Sequence, residues 1–304
     1  MSLRVLAWTV WVTLAGVSYG CGRGAAVSTT TTVPPSAKPV VKDSTREELL
    51  EKYNQMALGV KSVNATVELR PTTGSKYSGV IEEYHEVKAF LLAARPGKIR
   101  VIGQAPVIGT TIFDMASDGQ TFRVSIPSKN KFLVGPVAVE RASNKPIENL
   151  RPQHLLEALL WPEIRKEETV LFEEFNDEIA RYYVLTVLRG GYRTEILRKI
   201  WFDRANLQVS RLESYGPKGV LLSDVHVSDW QALLPDSEHP APPTGVTEFP
   251  RAIRIDRPHD DYRLDLQIGK IALNEEIPQE RFKLDPPAGS ELVRVSEGAE
   301  DKQP

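Results

Sequence analysis

The chain has 304 residues, with 38 Lys and Arg against 40 Asp and Glu, a formal net charge of −2 and 41% hydrophobic residues. This composition excludes a wholly disordered chain, a collagen and a coiled coil, and the length suits one large or two ordinary domains. A nucleic-acid-binding protein needs a basic face, so the balanced charge argues against nucleic acid as a partner. The single cysteine excludes a disulfide framework and a zinc cluster built on cysteines.

Residues 1–21 have the pattern of an export signal. A positive charge precedes the apolar stretch 5–17, and Cys21 follows it. The stretch is shorter than the roughly 20 residues that span a bilayer. Cys21 has the position of the lipidated residue in a bacterial lipoprotein signal, where the thiol takes a diacylglyceryl group and the chain is cut before it. Ser18 and Tyr19 are unusual before such a cysteine, so a signal peptide cut nearby and an uncleaved anchor are the alternatives.

Residues 22–42 are predicted to be a tether, since they contain a run of threonines and three prolines without apolar periodicity. The folded body is predicted over 43–295, and 296–304 is predicted to be a disordered polar tail. A covalent lipid on Cys21 is the only prosthetic group expected. No cofactor and no metal is predicted.

Two helices are predicted in the body. The segment Ser44-Thr45-Arg46-Glu47-Glu48 contains two overlapping capping boxes. It is followed by an apolar stripe at helical spacing, formed by Leu49, Tyr53, Met56 and Val60. The second helix is predicted over 152–161, with Pro152 in its first turn and Pro162 after its end.

Nearly all the remaining sequence alternates between apolar and polar residues. Among the predicted strands are 63–69, 77–93, 192–203 and 282–284, and turn sequences such as Ser117-Asp118-Gly119 separate many of them. About eleven strands at near-regular spacing predict a single antiparallel β domain, with one sheet that is strongly curved or rolled into a barrel. The fold class is therefore mainly β, closed by two or so short helices.

No catalytic motif is present: the sequence has no nucleophile elbow, no phosphate loop and no zinc-protease motif. The densest acidic cluster, Glu82, Glu83, His85 and Glu86, is typical of a solvated sheet face, with a metal or acid/base site as the alternative. His259-Asp260-Asp261 is interpreted as a polar hairpin turn rather than as a ligand set. We therefore expect no enzymatic activity.

The apolar strand faces allow two interpretations. The simpler is an ordinary core closed by the two helices; the other is an inner face that is lined but not filled, leaving a hydrophobic cavity for acyl chains. The candidate lining residues are Val67, Leu69, Phe113, Met115, Phe122, Val124, Ile126, Phe132, Tyr183 and Trp201. The apolar loop formed by Pro106, Val107, Ile108 and Gly109 is a candidate mobile lip of such a cavity, or a bulge.

Four stretches resemble the LolA/LolB-like lipoprotein carrier and receptor superfamily: the first helix running into a strand (49–69), Pro96-Gly97-Lys98-Ile99-Arg100-Val101 with the hairpin 113–122, the Leu-rich second helix, and the ending 277–289. The resemblance implies an incomplete β-barrel closed by helices, with a concave apolar cavity that shields lipoprotein acyl chains in the periplasm. Cys21 is similar to the lipid-bearing residue of the membrane-anchored receptor. No cargo-contact residue of the family is carried over, because the resemblance lies in the order of the elements and the general residue pattern, and individual residues cannot be matched.

These features predict an envelope lipoprotein, anchored in the outer membrane and facing the periplasm, that binds acyl chains or lipoproteins without catalysis. Its partners would be the membrane, this cargo and other envelope proteins. The alternative is a structural, sensor or protein-interaction lipoprotein with the same fold and a filled interior.

Overall fold

The computed structural model of the chain describes residues 41–75, 80–83, 85–105, 109–137, 149, 151–176, 180–191, 194–233 and 245–295. Its two α-helices are α1 (Arg46–Gly59) and α2 (Pro152–Leu159). Its strands are β1 (Ser62–Ser75), β2 (Val80–Glu83), β3 (Val87–Ala94), β4 (Lys98–Gln104), β5 (Thr111–Ser117), β6 (Thr121–Ile126), β7 (Lys131–Pro136), β8 (Thr169–Asn176), β9 (Arg181–Arg189), β10 (Glu195–Asp203), β11 (Gln208–Tyr215), β12 (Leu221–Ala232), β13 (Glu248–Arg257), β14 (Tyr262–Leu273) and β15 (Glu291–Arg294).

All fifteen strands belong to one open sheet. Their order is β15-β7-β6-β5-β4-β3-β1-β14-β13-β12-β11-β10-β9-β8, and β2 is paired with the C-terminal end of β1. Every pair is antiparallel except β15 with β7. The prediction of a mainly β chain with two helices is confirmed, whereas the described residues contain fifteen strands rather than about eleven.

The extra strands have physical causes. The predicted strand 77–93 is divided into β2 and β3. β8 did not show the alternation of a half-buried strand, because it is exposed on both faces. The predicted strand 282–284 lies at the end of a 3₁₀ turn, Gln279–Phe282, and the final strand is β15 instead.

The helix α1 begins with one of the two predicted capping boxes. The Glu48 backbone N–H donates to the Thr45 hydroxyl at 3.3 Å, and the Thr45 N–H donates to the Glu48 carboxylate at 2.9 Å. Leu49, Tyr53 and Ala57 lie on the buried side of the helix. Among the described residues, no helix has the length and apolar character needed to span a bilayer.

Both helices pack on the same face of the sheet, called here the inner face. The short helix α2 contacts β4, β5 and β13. The strands β5 and β13 are five positions apart in the sheet order, which is about 24 Å at the usual strand spacing. A helix with its side chains is only about 10–12 Å wide, so the sheet must curve around α2 to bring both strands to it.

The opposite, outer face carries charged pairs along its central strands. Arg211 makes two hydrogen bonds of 2.7 Å to the Asp224 carboxylate, and Arg254 lies 2.7 Å from Asp265. The C-terminal segment crosses this face and packs Leu284 against Phe132 and Ala116. The alternation along each strand therefore separates an apolar face from a charged one.

Two hairpin turns meet at a pair of glycines. A Cβ added to Gly97, in the turn between β3 and β4, would lie 2.9 Å from the Cα of Gly119, in the turn between β5 and β6. Gly119 has φ +93°, which side chains rarely adopt. The main chains of these two turns are therefore in direct contact.

We expect Gly97→Ala to lower the free energy of unfolding by about 1–3 kcal/mol, because the added methyl group must push two main chains apart. Chemical denaturation measures the change. Gly190→Ala is the matched control, since a Cβ there meets nothing within 4 Å. Equal stability of the two variants would contradict the close approach.

Asp224 predicts a dependence of stability on pH. Burial acts to raise the pKa of Asp224, but hydrogen bonds from His226 and Arg211 and their positive charges lower it to about 2 from an ordinary value of 3.8. A carboxylate with a lowered pKa in the folded state stabilises the fold above its unfolded pKa, and that stabilisation is lost as the pH falls through the folded pKa. We expect Asp224→Asn to cost about 2 kcal/mol at neutral pH and much less near pH 2.

Denaturation curves across this pH range test the expectation, with Asp265→Asn as the control. The pair Arg254–Asp265 is exposed, so its loss should change stability by at most about 1 kcal/mol. A cost for Asp224→Asn that did not change with pH would contradict the assignment.

Candidate functional site

The inner face is a continuous apolar surface whose register runs through the whole sheet. Val67 lies opposite Ile268 and Leu69 opposite Leu266, and the same face continues through Ile253 to Val227. Directly paired residues point to the same side of a sheet, so the apolar side chains of each strand lie on the same face as those of its neighbour. One cluster of buried side chains results, and it includes residues of both helices.

Eight of the ten predicted lining residues share this inner face by register: Val67, Leu69, Phe113, Met115, Phe122, Val124, Ile126 and Tyr183. Phe132 and Trp201 lie on the outer face. Phe132 is paired with Ser125, whose side chain points away from the inner face, and it packs against Leu284. Trp201 lies between Ile200 and Phe202, which both point inward, and its ring meets Phe175 at a centroid distance of 5.2 Å.

Contact with the two helices buries most of the inner face. Val67 and Leu69 are each 1% exposed and Phe122 is fully buried. Phe113 and Val124 are half-buried and pack against the same cluster. The guanidinium of Arg151, just before α2, lies 4.6 Å from the centroid of the Phe122 ring. The apolar interior is therefore filled by its own side chains while the helices are in place.

Arg95 joins the two helices that cover this interior. Its Nε donates to the carbonyl of Val60 at 3.1 Å, and its Nη2 donates to the carbonyls of Ala57 at 2.6 Å and Trp161 at 2.7 Å. Ala57 and Val60 form the C-terminal end of α1, where a cation is favoured by the helix dipole. Trp161 follows α2, so the single side chain of Arg95, just after β3, is bonded to both helical segments.

A second set of contacts links α1 directly to the chain after α2. The Tyr53 hydroxyl donates to the carbonyl of Pro162 at 2.8 Å, and its ring is stacked on Trp161 with centroids 5.8 Å apart. Asn54 exchanges two hydrogen bonds with the main chain of Ile164, at 2.9 and 2.8 Å. Burial raises the pKa of Tyr53, so its hydroxyl remains a donor. We call α1, α2 and residues 160–168 the roof.

The other end of the roof is held through α2. The Gln153 amide donates to the Ser117 hydroxyl at 2.6 Å, and His154 Nδ1 is hydrogen-bonded to the Tyr262 hydroxyl. Burial, with Arg257 and Arg151 nearby, lowers the pKa of His154 well below its usual value. The imidazole is therefore neutral at neutral pH. Both ends of the roof are thus attached to the sheet by polar side chains.

Sequence reasoning predicted the two helices that close the sheet but missed the contacts that hold them. Arg95, Tyr53 and Asn54 donate to main-chain carbonyls that are between 35 and 110 residues away in the chain. A main-chain acceptor leaves no signal in the sequence, because every residue carries one. Only the apolar stripe that contains Tyr53 was visible as a pattern.

The outer face has two adjoining concavities, of about 370 and 210 Å³. Both are bordered by Phe90, which is 46% exposed. The first is also lined by Lys88 and Lys270, and the second by Arg100 and Ile102. They lie on the side of the sheet opposite the roof.

The remaining predicted features fall partly outside the described residues. Cys21, the tether up to residue 40, the tail 296–304 and Pro106, Val107 and Ile108 of the predicted lip lie outside them. Gly109 has φ +65° and its N–H donates to the carbonyl of Ala105 at 3.1 Å. In the acidic cluster, Glu86 pairs with Arg70 at 2.7 Å. Within the described ranges, no group of three His, Cys, Asp or Glu side chains could hold a metal ion.

Solved structures of similar fold come from several bacteria. A LolA superfamily protein from Nitrosomonas europaea matches at 14% identity and a TM-score of 0.48, over 80% of this chain and 99% of its own. A putative outer membrane lipoprotein-sorting protein domain from Vibrio parahaemolyticus matches at 15% and 0.45, over 78% and 96%. A DUF1329 family protein from Desulfovibrio piger matches at 13% and 0.48, over 78% and 95%.

No protein-family model matches the chain, and no curated protein matches it in sequence. At these identities the likeness to the solved structures concerns the fold alone. The solved structures to which this chain is similar include a LolA superfamily protein and a putative outer membrane lipoprotein-sorting protein domain.

Proposed function

We propose that this chain is a membrane-anchored lipoprotein of the bacterial cell envelope, and that its interior receives the acyl chains of lipids or of other lipoproteins without catalysing a reaction. The observation that carries the proposal is a continuous apolar inner face under a roof of two helices. Side-chain hydrogen bonds to main-chain carbonyls hold this roof in place.

The roof can move without unfolding the sheet. The contacts of Arg95, Tyr53 and Asn54 join the helices to each other and to one strand end, and none of them belongs to a strand ladder. A side-chain hydrogen bond contributes about 1 kcal/mol net. Breaking these hydrogen bonds leaves the strand ladders intact, and the main cost of lifting the roof is the exposure of the apolar side chains that it buries.

An acyl chain can compensate for that cost. Removing about 300 Å² of apolar surface from water is worth about 7.5 kcal/mol at 25 cal/mol per Å², which corresponds to micromolar binding. Half-buried Val124 and Phe113 lie at the margin of the inner face. They are the first side chains that a chain entering under α2 would meet.

Anchoring rests on the sequence of the first 42 residues. Lipid on Cys21 would hold the protein at a membrane, since each buried CH₂ contributes about 0.8 kcal/mol. Gly22 follows that cysteine rather than Asp, which fits sorting to the outer membrane. The tether ends where the Lys42 N–H donates to the carbonyl of Arg204 at 2.7 Å, so its end is attached to the β domain.

A second function is favoured by the burial of the inner face. Because Val67, Leu69 and Phe122 are at most 1% exposed, the same fold can serve as a structural, sensor or protein-interaction lipoprotein with a permanently filled interior. Binding of an acyl chain separates the two functions.

We expect the full chain carrying Cys21→Ser, purified without detergent, to retain a stoichiometric phospholipid or fatty acid, or to take up an added acyl probe. The substitution removes the covalent lipid, so any acyl group found is bound in the fold. Native mass spectrometry with solvent extraction makes the measurement. A clean apo mass without probe uptake would favour the filled interior.

Two variants locate the binding. Val124→Asp places a charge at the margin of the inner face and should weaken the binding of the probe at least tenfold, since a buried carboxylate without a partner is costly. Ile102→Asp is the control, because Ile102 is a half-buried residue on the outer face. Equal loss in both folded variants would argue against the inner face as the site.

We expect Arg95→Leu to loosen the roof, because three carbonyl acceptors lose their donor. Amide hydrogen exchange in α1 and α2 should become faster while exchange in β9–β14 stays unchanged, and the probe should enter more quickly. Arg254→Leu is the control, since Arg254 is paired on the outer face. Unchanged exchange in the helices would mean that Arg95 does not hold the roof.

A further inference from the structure

The strand β8 forms one end of the sheet, and in the described part of the chain no strand pairs with its second side. Seven of its eight residues are exposed. The exposed residues include three large apolar side chains: Leu171 is 48% exposed, Phe172 39% and Phe175 46%. A long apolar edge strand is a template for pairing with another strand.

β8 has only part of the usual protection of an edge. Its sequence, TVLFEEFN, carries the charged residues Glu173 and Glu174 but contains no proline and no lysine, two residues that commonly block edge pairing. At the other end of the sheet, β15 has only four residues. The edge of β8 is thus the longer of the two and the more apolar.

The neighbouring aromatic residues hold β8 in a fixed position. Phe172 lies 5.1 Å from the ring of Tyr183 on the inner face, and Phe175 lies 5.2 Å from Trp201 on the outer face. The strand also pairs with β9 over its full length. A fixed edge pairs at a lower entropic cost than a mobile one.

We propose that two copies of the chain associate through β8, as antiparallel strands related by a two-fold axis at Leu171. The second copy is the occupant that this sequence favours, because antiparallel pairing about Leu171 sets the apolar residues of β8 against each other. Only a few registers are then available, and the side chains distinguish between them.

With the axis at Leu171, the apolar residues face each other. Leu171 lies opposite Leu171 of the partner subunit, and Val170 lies opposite Phe172 of the partner subunit. Thr169 lies opposite Glu173 of the partner subunit, where the hydroxyl can donate to the carboxylate. Cross-strand pairs of this kind each contribute roughly 0.2–1 kcal/mol.

The nearby carboxylates are compatible with this register, because they already have cationic partners within their own chain. It brings Glu168 near Glu174 of the partner subunit. Glu168 lies 2.6 Å from Arg198, and Glu174 is paired with Arg204. Both charges are therefore compensated before the two copies meet.

Registers with the axis closer to the C-terminal end of β8 are worse. An axis at Phe172 would place Leu171 opposite Glu173 of the partner subunit. An axis at Glu173, which accepts a hydrogen bond of 3.2 Å from the Thr186 hydroxyl, would place two carboxylates face to face. Like charges directly opposite each other are destabilising.

The test is the mass in solution of the full chain carrying Cys21→Ser, measured by light scattering over a concentration series. We expect the mass to rise from 33.9 kDa toward twice that value. Leu171→Lys should remain monomeric at every concentration, since two ammonium groups would meet at the axis. Leu58→Lys is the control: Leu58 is 55% exposed on α1, and its variant should still dimerise.

A thiol at the axis tests the register. In the Cys21→Ser background, Leu171→Cys should form an intermolecular disulfide, since opposite residues in a sheet have Cα atoms about 4.5–5.5 Å apart. Phe175→Cys is equally exposed, but it would lie about 26 Å from its copy along the strand, at 3.3 Å per residue. It should not cross-link.

A monomer at all concentrations would overturn the proposal. So would a Leu171→Lys variant that still dimerises, or cross-linking through Phe175→Cys rather than Leu171→Cys. The proposal does not rest on acyl binding, so its failure would leave the proposed function intact.

Discussion

The alternation of side chains along an unbroken set of strand ladders is the constraint on which the other features depend. Because directly paired residues point to the same side, the apolar face of β1 is carried through each neighbour in turn, from Val67 to Leu266 and on to Ile253. The same rule directs Arg211, Asp224 and Arg254 to the other face. A slip of one residue in a single ladder would move every side chain beyond it to the opposite face of the sheet. Both the apolar core and the charged face therefore require the observed register.

The roof converts this apolar face into a closed interior. Two helices pack on this face and cover it, and Arg95 donates to carbonyls at the end of α1 and just after α2. Polar contacts of this kind are specific in direction and modest in energy, whereas the ladders beneath are numerous and cooperative. The cover is therefore attached by contacts that lie outside the strand ladders. That separation underlies the proposed binding of acyl chains.

The sequence predicted the parts of the fold that depend on local patterns. The capping box at Thr45 and Glu48, the buried stripe of α1 and the alternation of most strands all appeared in the structure. Prediction from the sequence was less successful where a pattern is ambiguous. Phe132 and Trp201 are aromatic residues on strands, and composition does not reveal which face they occupy. The strand β8 was missed because a strand exposed on both faces has no alternation to detect.

By itself, the sequence determined the β class and the two helices, because period and capping are properties of consecutive residues. Only the tertiary structure decided that the interior is filled, that Arg95 joins the two helices, and that β8 has a free edge in the described part of the chain. The physical reason is that these features depend on main-chain groups brought together from distant segments. Every residue carries those groups, and side-chain identity does not show which of them will meet.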